Sequence, residues 1–270
     1  GIVPSFIDLK FLYVELDSYI YYNPNFVGNP LSLQSSVIDS INQYKGSGEL
    51  NKFGGRFKYS NVLSLIDAVD VSITSNITTV LIRRNLKALI NVFTQYELCF
   101  DNEFYRKEDS YNIKSTGFSV SGVEGTVYLA DQTIEGSDIG NIFLFKVTNA
   151  TEVEIVTPNF GTVDYKKGEI LLNTVNITST LKPENIVEIQ AVPLSNDVLG
   201  RKELYLQLSM DNSNFTMRQD LIASGANVSG TRFDPQSSYS NGNKVRGAIV
   251  SSREGASRLV GYVNGQPYYG

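Results

Sequence analysis

From about residue 113 onward the chain loses helical periodicity, and that loss limits its fold more than any other feature. Short alternating apolar runs separated by turn signals follow one another in "GFSVSGVEGTVYLADQTIEG", "NIFLFKV", "TEVEIVT", "NIVEIQAVPL" and "ELYLQLSM". Side chains on a strand return to the same face every second residue, so such runs bounded by Gly, Asn, Asp and Ser read as strands joined by tight turns. The spacing predicts an all-β module, a small sandwich or barrel. Its clearest hairpin is "GTVDYKKGEILL", residues 161–172. Val163 and Tyr165 lead in, Ile170 and Leu172 lead out, and Gly168 supplies the positive φ that the connection needs.

Ahead of this module the pattern is mixed. "FIDLKFLYVELDSYIYY" reads as a long strand with Leu12, Val14, Leu16 and Ile20 on one apolar face, and rings and carboxylates on the other. Asn29-Pro30 gives a cap and a first-turn proline for a helix carrying Leu33, Val37, Ile38, Ile41 and Tyr44, which Gly46 and Gly48 stop. After the loop "GSGELNKFGGRF", Val62, Leu65, Ile66 and Val69 predict a second helix capped by Ser60. Two strands follow, with Val71, Ile73 and Ile77 in alternation, then Ile90, Val92, Tyr96, Leu98 and Phe100. The expected class is α+β: a small α/β sandwich domain at 1–112, a β domain at 113–223, and an extended Gly/Ser/Asn-rich assembly tail at 224–270. In that tail "LVGYV" reads as an added strand, with Tyr262, Tyr268 and Tyr269 as anchors.

Composition removes most chemistry. No histidine occurs, so Ser-His and Cys-His nucleophile pairs, the usual neutral-pH base and the commonest metal ligand are all missing. The single cysteine, Cys99, lies in "YELCF" and reads as a small buried hydrophobe; neither a disulfide nor a thiolate cluster can form within one chain. Without disulfides the chain suits assembly in a reducing cytoplasm, and the five Asn-x-Ser/Thr sequons, at Asn76, Asn149, Asn176, Asn214 and Asn227, read as chance in an Asn-rich sequence. A net charge of -5 repels phosphate backbones, and no apolar run is long enough to span a bilayer. Neither nucleic acid nor membrane is therefore an expected partner. The basic groups Lys52/Arg56/Lys58 and Arg83/Arg84/Lys87 read as a solvated face or a salt-bridging patch on a protein interface.

Paired carboxylates survive as a catalytic option, but Glu15/Asp17 and Asp67/Asp70 read as solvent-facing charges on an open sheet. "DNSNFTMRQD" has the oxygen content of a calcium loop, yet its sixth residue is Thr216 where an EF-hand needs glycine. Gly46/Gly48 and Gly54/Gly55 sit between helices with no following Lys-Ser/Thr, so they read as a loop hinge and not a phosphate cradle. No catalytic residue, metal site or cofactor is expected. The excess is aromatic, 16 Tyr and 14 Phe, and tyrosine suits a surface that is soluble before assembly and buried after it. The candidate interface residues are Tyr19, Tyr21, Tyr22 and Phe26, the hairpin-tip Lys166 and Lys167, and the tail tyrosines. For the lysines two readings stand, a charged rim offered to an acidic neighbour or an ordinary solvated turn.

The order of "SFIDLKFLYVELDSYIYYNP", the helix-loop-helix ahead of "DAV", the strand "ITTVLIRR" and the hairpin "GTVDYKKGEILL" resembles the C-terminal part of the large baseplate wedge subunit of T4-like contractile phages, in the baseplate J-like family. The resemblance covers residues 5–220. It implies a structural role in the virion tail: homodimers joined into a closed ring around the central hub, contacting other wedge proteins. It also implies that a chain opening on "GIVPSF" is a C-terminal fragment of a longer subunit. A glycan-binding or adhesion β module on a virion or cell surface is the alternative.

Overall fold

The computed structural model describes residues 10–46, 48, 50–148, 152–201 and 204–220, together with the backbone of five short strands between residues 239 and 269. The chain divides into two units, one of residues up to Tyr22 and Phe26–Gln219, the other of Asn23–Asn25 and Asp220–Gly270. In the larger unit the first part runs β1 (Lys10–Tyr22), α1 (Pro30–Lys45), β2 (Lys52–Phe53), β3 (Arg56–Phe57), α2 (Tyr59–Asp67), β4 (Ile73–Lys87) and β5 (Phe93–Cys99). The second continues with β6 (Lys114–Ser115), β7 (Phe118–Val120), β8 (Tyr128–Gln132), β9 (Ile139–Val147), β10 (Val153–Asp164) and β11 (Glu169–Thr180). It closes with β12 (Ile186–Ala191), β13 (Val198–Leu199), β14 (Leu204–Leu208) and β15 (Asn214–Gln219). The architecture is α+β and dominated by strands.

One mixed sheet holds most of these strands in the order β2-β14-β1-β4-β12-β6-β8-β9-β10-β11-β5, with β15 also on β1 and β7 on β11. β1 pairs parallel with β14 and β15 and antiparallel with β4. The boundary expected at residues 112/113 therefore lies inside the larger unit. There β12 is hydrogen-bonded to β4, and a single core joins Leu12, Val14 and Val80 to Ile142, Val163 and Ile170. The expected boundary at 223/224 and the start of the first strand before Lys10 fall outside the described residues.

Local signals placed several elements correctly. Leu12, Val14, Leu16 and Ile20 are all buried, as alternation requires. Asn29 takes an extended backbone and its side chain accepts the Leu31 amide at 3.0 Å, with Pro30 in the first turn, while the Gly46 amide closes the last turn on the Asn42 carbonyl. The second helix departs from expectation, because Ser60 lies within it and the cap position is held by Lys58, whose side chain does not cap the helix. Its first amide is satisfied from far away: Tyr59 N–H donates to Asp197 Oδ1 at 2.9 Å. A carboxylate there also complements the positive helix end.

The strand after α2 also differs. Val71 precedes β4 and is 95% exposed, and Ile77 stands opposite Tyr19, on the sheet face away from the core. The buried positions are Val80, Ile82 and Leu86. Likewise Val92 is exposed ahead of β5, whereas Leu98 and Phe100 are buried. The loop read as a hinge contains β2 and β3, which pair with β14 and β13, and Gly54 turns between them at φ 65°.

The hairpin forms as expected: Gly161↔Leu172, Val163↔Ile170 and Asp164↔Glu169 pair across β10 and β11, and Gly168 takes φ 70°. In the second unit the described backbone comprises β16 (Tyr239–Ser240) with β17 (Asn243–Lys244), and β18 (Ile249–Ser251), β19 (Arg258–Val263) and β20 (Gln266–Tyr269) in order β18-β19-β20. The predicted "LVGYV" strand lies within β19 and pairs with β18 and β20.

Candidate assembly surface

The odd-numbered face of β1 is where charge and rings meet. Glu15 was expected to face solvent, but only 1% of it is exposed. Its Oε1 accepts from Arg83 Nε on β4 and, at 3.2 Å, from Asn212 Nδ2 in the β14–β15 turn; its Oε2 accepts from Gln190 Nε2 on β12. Arg83 also reaches Asn85 Oδ1 and, at 3.1 Å, Glu188 Oε1, whose other oxygen takes Lys182 Nζ at 2.9 Å. The guanidinium lies 4.3 Å over the Tyr13 ring. A carboxylate can be buried at this depth because two neighbouring strands and a turn supply its partners. Arg83 is accordingly no part of a solvated basic face. Asp17 behaves closer to expectation, half-buried and accepting from Asn214 Nδ2 at 3.1 Å, and Asp67 and Asp70 are exposed.

This cluster lines a 260 Å³ cavity, but its charges already satisfy one another. Its second carboxylate, Glu188, is held by Arg83 and Lys182, its hydroxyls are engaged, Ser115 Oγ by the Leu129 amide and Thr116 Oγ1 by the Glu188 amide, and no group of metal-ligating side chains occurs among the described residues. No helix there is long and apolar enough to cross a membrane. The remaining feature of the face is aromatic: Phe11 stacks on Tyr13 at 5.7 Å, and Arg218 on β15 lies 4.3 Å over the half-buried Tyr19. Tyr21 is half-buried, Phe26 is 71% exposed, and Tyr22 packs into the core. The side chains of Tyr262, Tyr268 and Tyr269 lie outside the described residues.

The hairpin tip borders a second, larger groove of 630 Å³ shared with Arg56, Asp197 and Arg201. Lys166 and Lys167 are exposed there, and Lys167 Nζ turns back to Asp164 at 3.5 Å and Glu169 at 3.9 Å. Behind the tip, Tyr165 is buried and its hydroxyl donates to Asp131 Oδ2 at 2.7 Å, while Asp131 Oδ1 accepts the Ile113 amide at 2.7 Å. The hairpin is thus a rigid projection bolted to β8. Burial, then the hydrogen bond to Asp131 and its negative charge, push the Tyr165 phenol well above its ordinary range. A raised folded-state value means stability is complete below about pH 10, where the unfolded phenol titrates, and falls as pH rises beyond it. Tyr165→Phe is expected to cost about 1.5–3 kcal/mol at neutral pH, the range for a bond to a charged group. It should also flatten the loss above pH 10 in urea unfolding; an unchanged alkaline slope would refute the coupling.

Sequence reasoning missed an outer-face apolar patch. Phe145 sits between Tyr128 on β8 and Ile155 on β10 in register, Val147 pairs with Val153, and Tyr111 meets Phe143 edge-on at 5.5 Å. Ile155, Val147 and Val153 are each about half exposed. The signal was in "NIFLFKV", where Ile142 and Leu144 serve the core and Phe143 and Phe145 the opposite face. A strand apolar on both faces is covered on both. Cys99 was misplaced too: it is half-exposed beside Glu97, and burial, then the charges of Glu169, Glu97 and Asp101, push its thiol up, so it is no activated nucleophile.

Residues 10–85 match the family of the baseplate structural protein gp6, C-terminal domain III. The match runs from the start of β1 through both helices to Asn85 near the end of β4, and so includes Glu15 and Arg83. It is a match to a structural family of the phage baseplate. Over those residues it agrees with the resemblance to T4-like wedge subunits. No curated protein matches the chain.

Proposed function

We propose that the chain is a non-enzymatic structural subunit of a phage tail baseplate, assembled in the host cytoplasm, pairing as a homodimer, closing into a ring around the central hub, and contacting other wedge subunits. The observation that carries this reading is the gp6 domain III match across β1, α1, α2 and β4. Physical support comes from the distribution of apolar surface. Phe26, Phe93 and Leu181 are each more than 60% exposed, and Ile155 and Val153 extend a sheet-face patch. Surface of this kind marks sites that a partner covers. Tyr19, Tyr21 and Phe26, the tip lysines Lys166 and Lys167, and Tyr262, Tyr268 and Tyr269 are the candidate contact residues, Tyr22 being taken up by the core, and a ring of dimers needs two distinct contacts on each copy.

Absolute molar mass by light scattering, over a hundredfold range of concentration, tests the reading. A dimer or larger closed species is expected, and a strict monomer throughout would overturn self-association. A glycan-binding module is the second reading, favoured by the ring cluster of Tyr111, Tyr128, Phe143 and Phe145. Specific retention of the isolated chain on a glycan array would replace the first reading with it.

A further inference from the structure

β5 is the last strand of the large sheet, and its one sheet neighbour among the described residues is β11. The register Leu98↔Ile170 and Tyr96↔Leu172, continued by the Phe100 N–H to Gly168 carbonyl bond of 2.8 Å, settles which backbone groups point where. In an antiparallel pair, residues alternate between those that exchange both hydrogen bonds with the neighbour and those that turn both groups away. Phe100, Leu98 and Tyr96 face β11; Cys99, Glu97, Gln95 and Phe93 face outward.

One of the outward groups is occupied. The Cys99 carbonyl accepts from Arg84 Nη1, a side chain 9% exposed that reaches it from the core face of β4. The outward groups of Glu97, Gln95 and Phe93 have no partner among the described residues. Of the usual defences of an open edge only one charge, Glu97, is present. "FTQYELC" contains neither proline nor lysine, and the register shift near it falls in β11, where Leu172 to Val175 spans three residues against two in β5. Phe93 is 71% exposed and Leu171, on the same face one strand inward, 42%.

We propose that this edge pairs antiparallel with the same edge of a second copy, about a two-fold axis at Gln95. Four symmetric registers, with axes at residues 94 to 97, use the outward residues. An axis at Thr94 engages only Phe93 and Gln95, because Glu97 would then face Asn91, whose N–H is bonded to the Ile177 carbonyl. An axis at Glu97 places two carboxylates directly opposite, which is destabilising. An axis at Tyr96 requires the Cys99 carbonyl already taken by Arg84. An axis at Gln95 pairs Gln95 with Gln95 of the partner subunit and Phe93 with Glu97 of the partner subunit, and asks nothing of Cys99. It also lays each exposed Phe93 beside the other copy's Glu97 methylenes and Leu171, covering apolar surface that is open in the single chain. The partner is thereby identified by chemistry: an extended strand with free backbone groups at alternate residues and no like charge in register. The inference rests on the self-association proposed above and specifies its surface.

The test uses the full chain with Cys99→Ser as background. In a hydrogen-bonded antiparallel pair the two Cα atoms lie about 5.5 Å apart, within disulfide range, whereas two copies of residue 97 would be about 14 Å apart. Gln95→Cys is expected to yield a covalent dimer under mild oxidation, and Glu97→Cys is not. Gln95→Pro, which removes a ladder donor, should weaken association at least tenfold by light scattering. If the chain is a dimer yet Gln95→Cys does not cross-link and Gln95→Pro associates normally, the edge is not the interface and self-association stands. If the unaltered chain is monomeric throughout, both inferences fall.

Discussion

Replacing Arg83 by methionine is expected to cost about 3–5 kcal/mol of stability, the range seen when one partner of a buried ion pair is removed. The guanidinium is the only cation that reaches Glu15 among the described residues, and Glu15 is 1% exposed. Without it, the carboxylate keeps only the amides of Gln190 and Asn212. Those bonds orient the group but do not cancel its charge. Adding Glu15→Gln should restore most of the loss, since the unpaired charge is gone and Glu188 keeps Lys182 at 2.9 Å. Guanidinium chloride unfolding of the two single variants and the double measures this directly. A loss under about 1 kcal/mol for Arg83→Met, the scale of an exposed pair, would mean that water reaches Glu15 readily enough to replace the pair.

Gly168→Ala is the second large effect. Gly168 sits at φ 70°, where any other L-residue pays about 1–2 kcal/mol, and a Cβ there would overlap the Asn102 carbonyl oxygen. The tip cannot simply lift away. The Gly168 carbonyl accepts from Phe100 N–H and the Tyr165 carbonyl from Phe104 N–H, both at 2.8 Å. Overlap with backbone on both sides of these bonds should bring the total to about 3 kcal/mol or more. Gly122→Ala is the control: its φ is 83°, but nothing lies within 4 Å of the added carbon. It should lose only about 1–2 kcal/mol, the conformational part alone. Equal shifts in the urea midpoint of the two variants would show that the Asn102 contact yields freely.

Legibility followed the range of the interactions. The hairpin, the first strand's core face, the Asn29 cap and the end of α1 at Gly46 were readable because each depends on residues a few positions apart. Glu15 was misread because nothing near it in the chain hints at burial. Its partners lie at positions 83, 190 and 212, on two other strands and a turn. The cap of α2 came from Asp197 for the same reason, and Val71 and Ile77 alternated on paper but had no core opposite them once β4 paired with β1. Phe143 and Phe145 were visible as letters, yet which face they served depended on which side of β9 the core lay.

By itself the amino-acid sequence determined that this protein is strand-rich with two helices, carries no histidine chemistry, and turns tightly at Gly168, since composition and short-range periodicity set these before any contact forms. Only the tertiary structure decided that residues on either side of position 112 share one sheet and one core, that Glu15 and Arg83 are buried together, and that β5 is left with an open edge. Each depends on strand order, and strand order is a global choice: β1 finds its parallel partners β14 and β15 nearly 200 residues away. No local pattern encodes that pairing, because only the fully assembled sheet can bury the apolar face of β1.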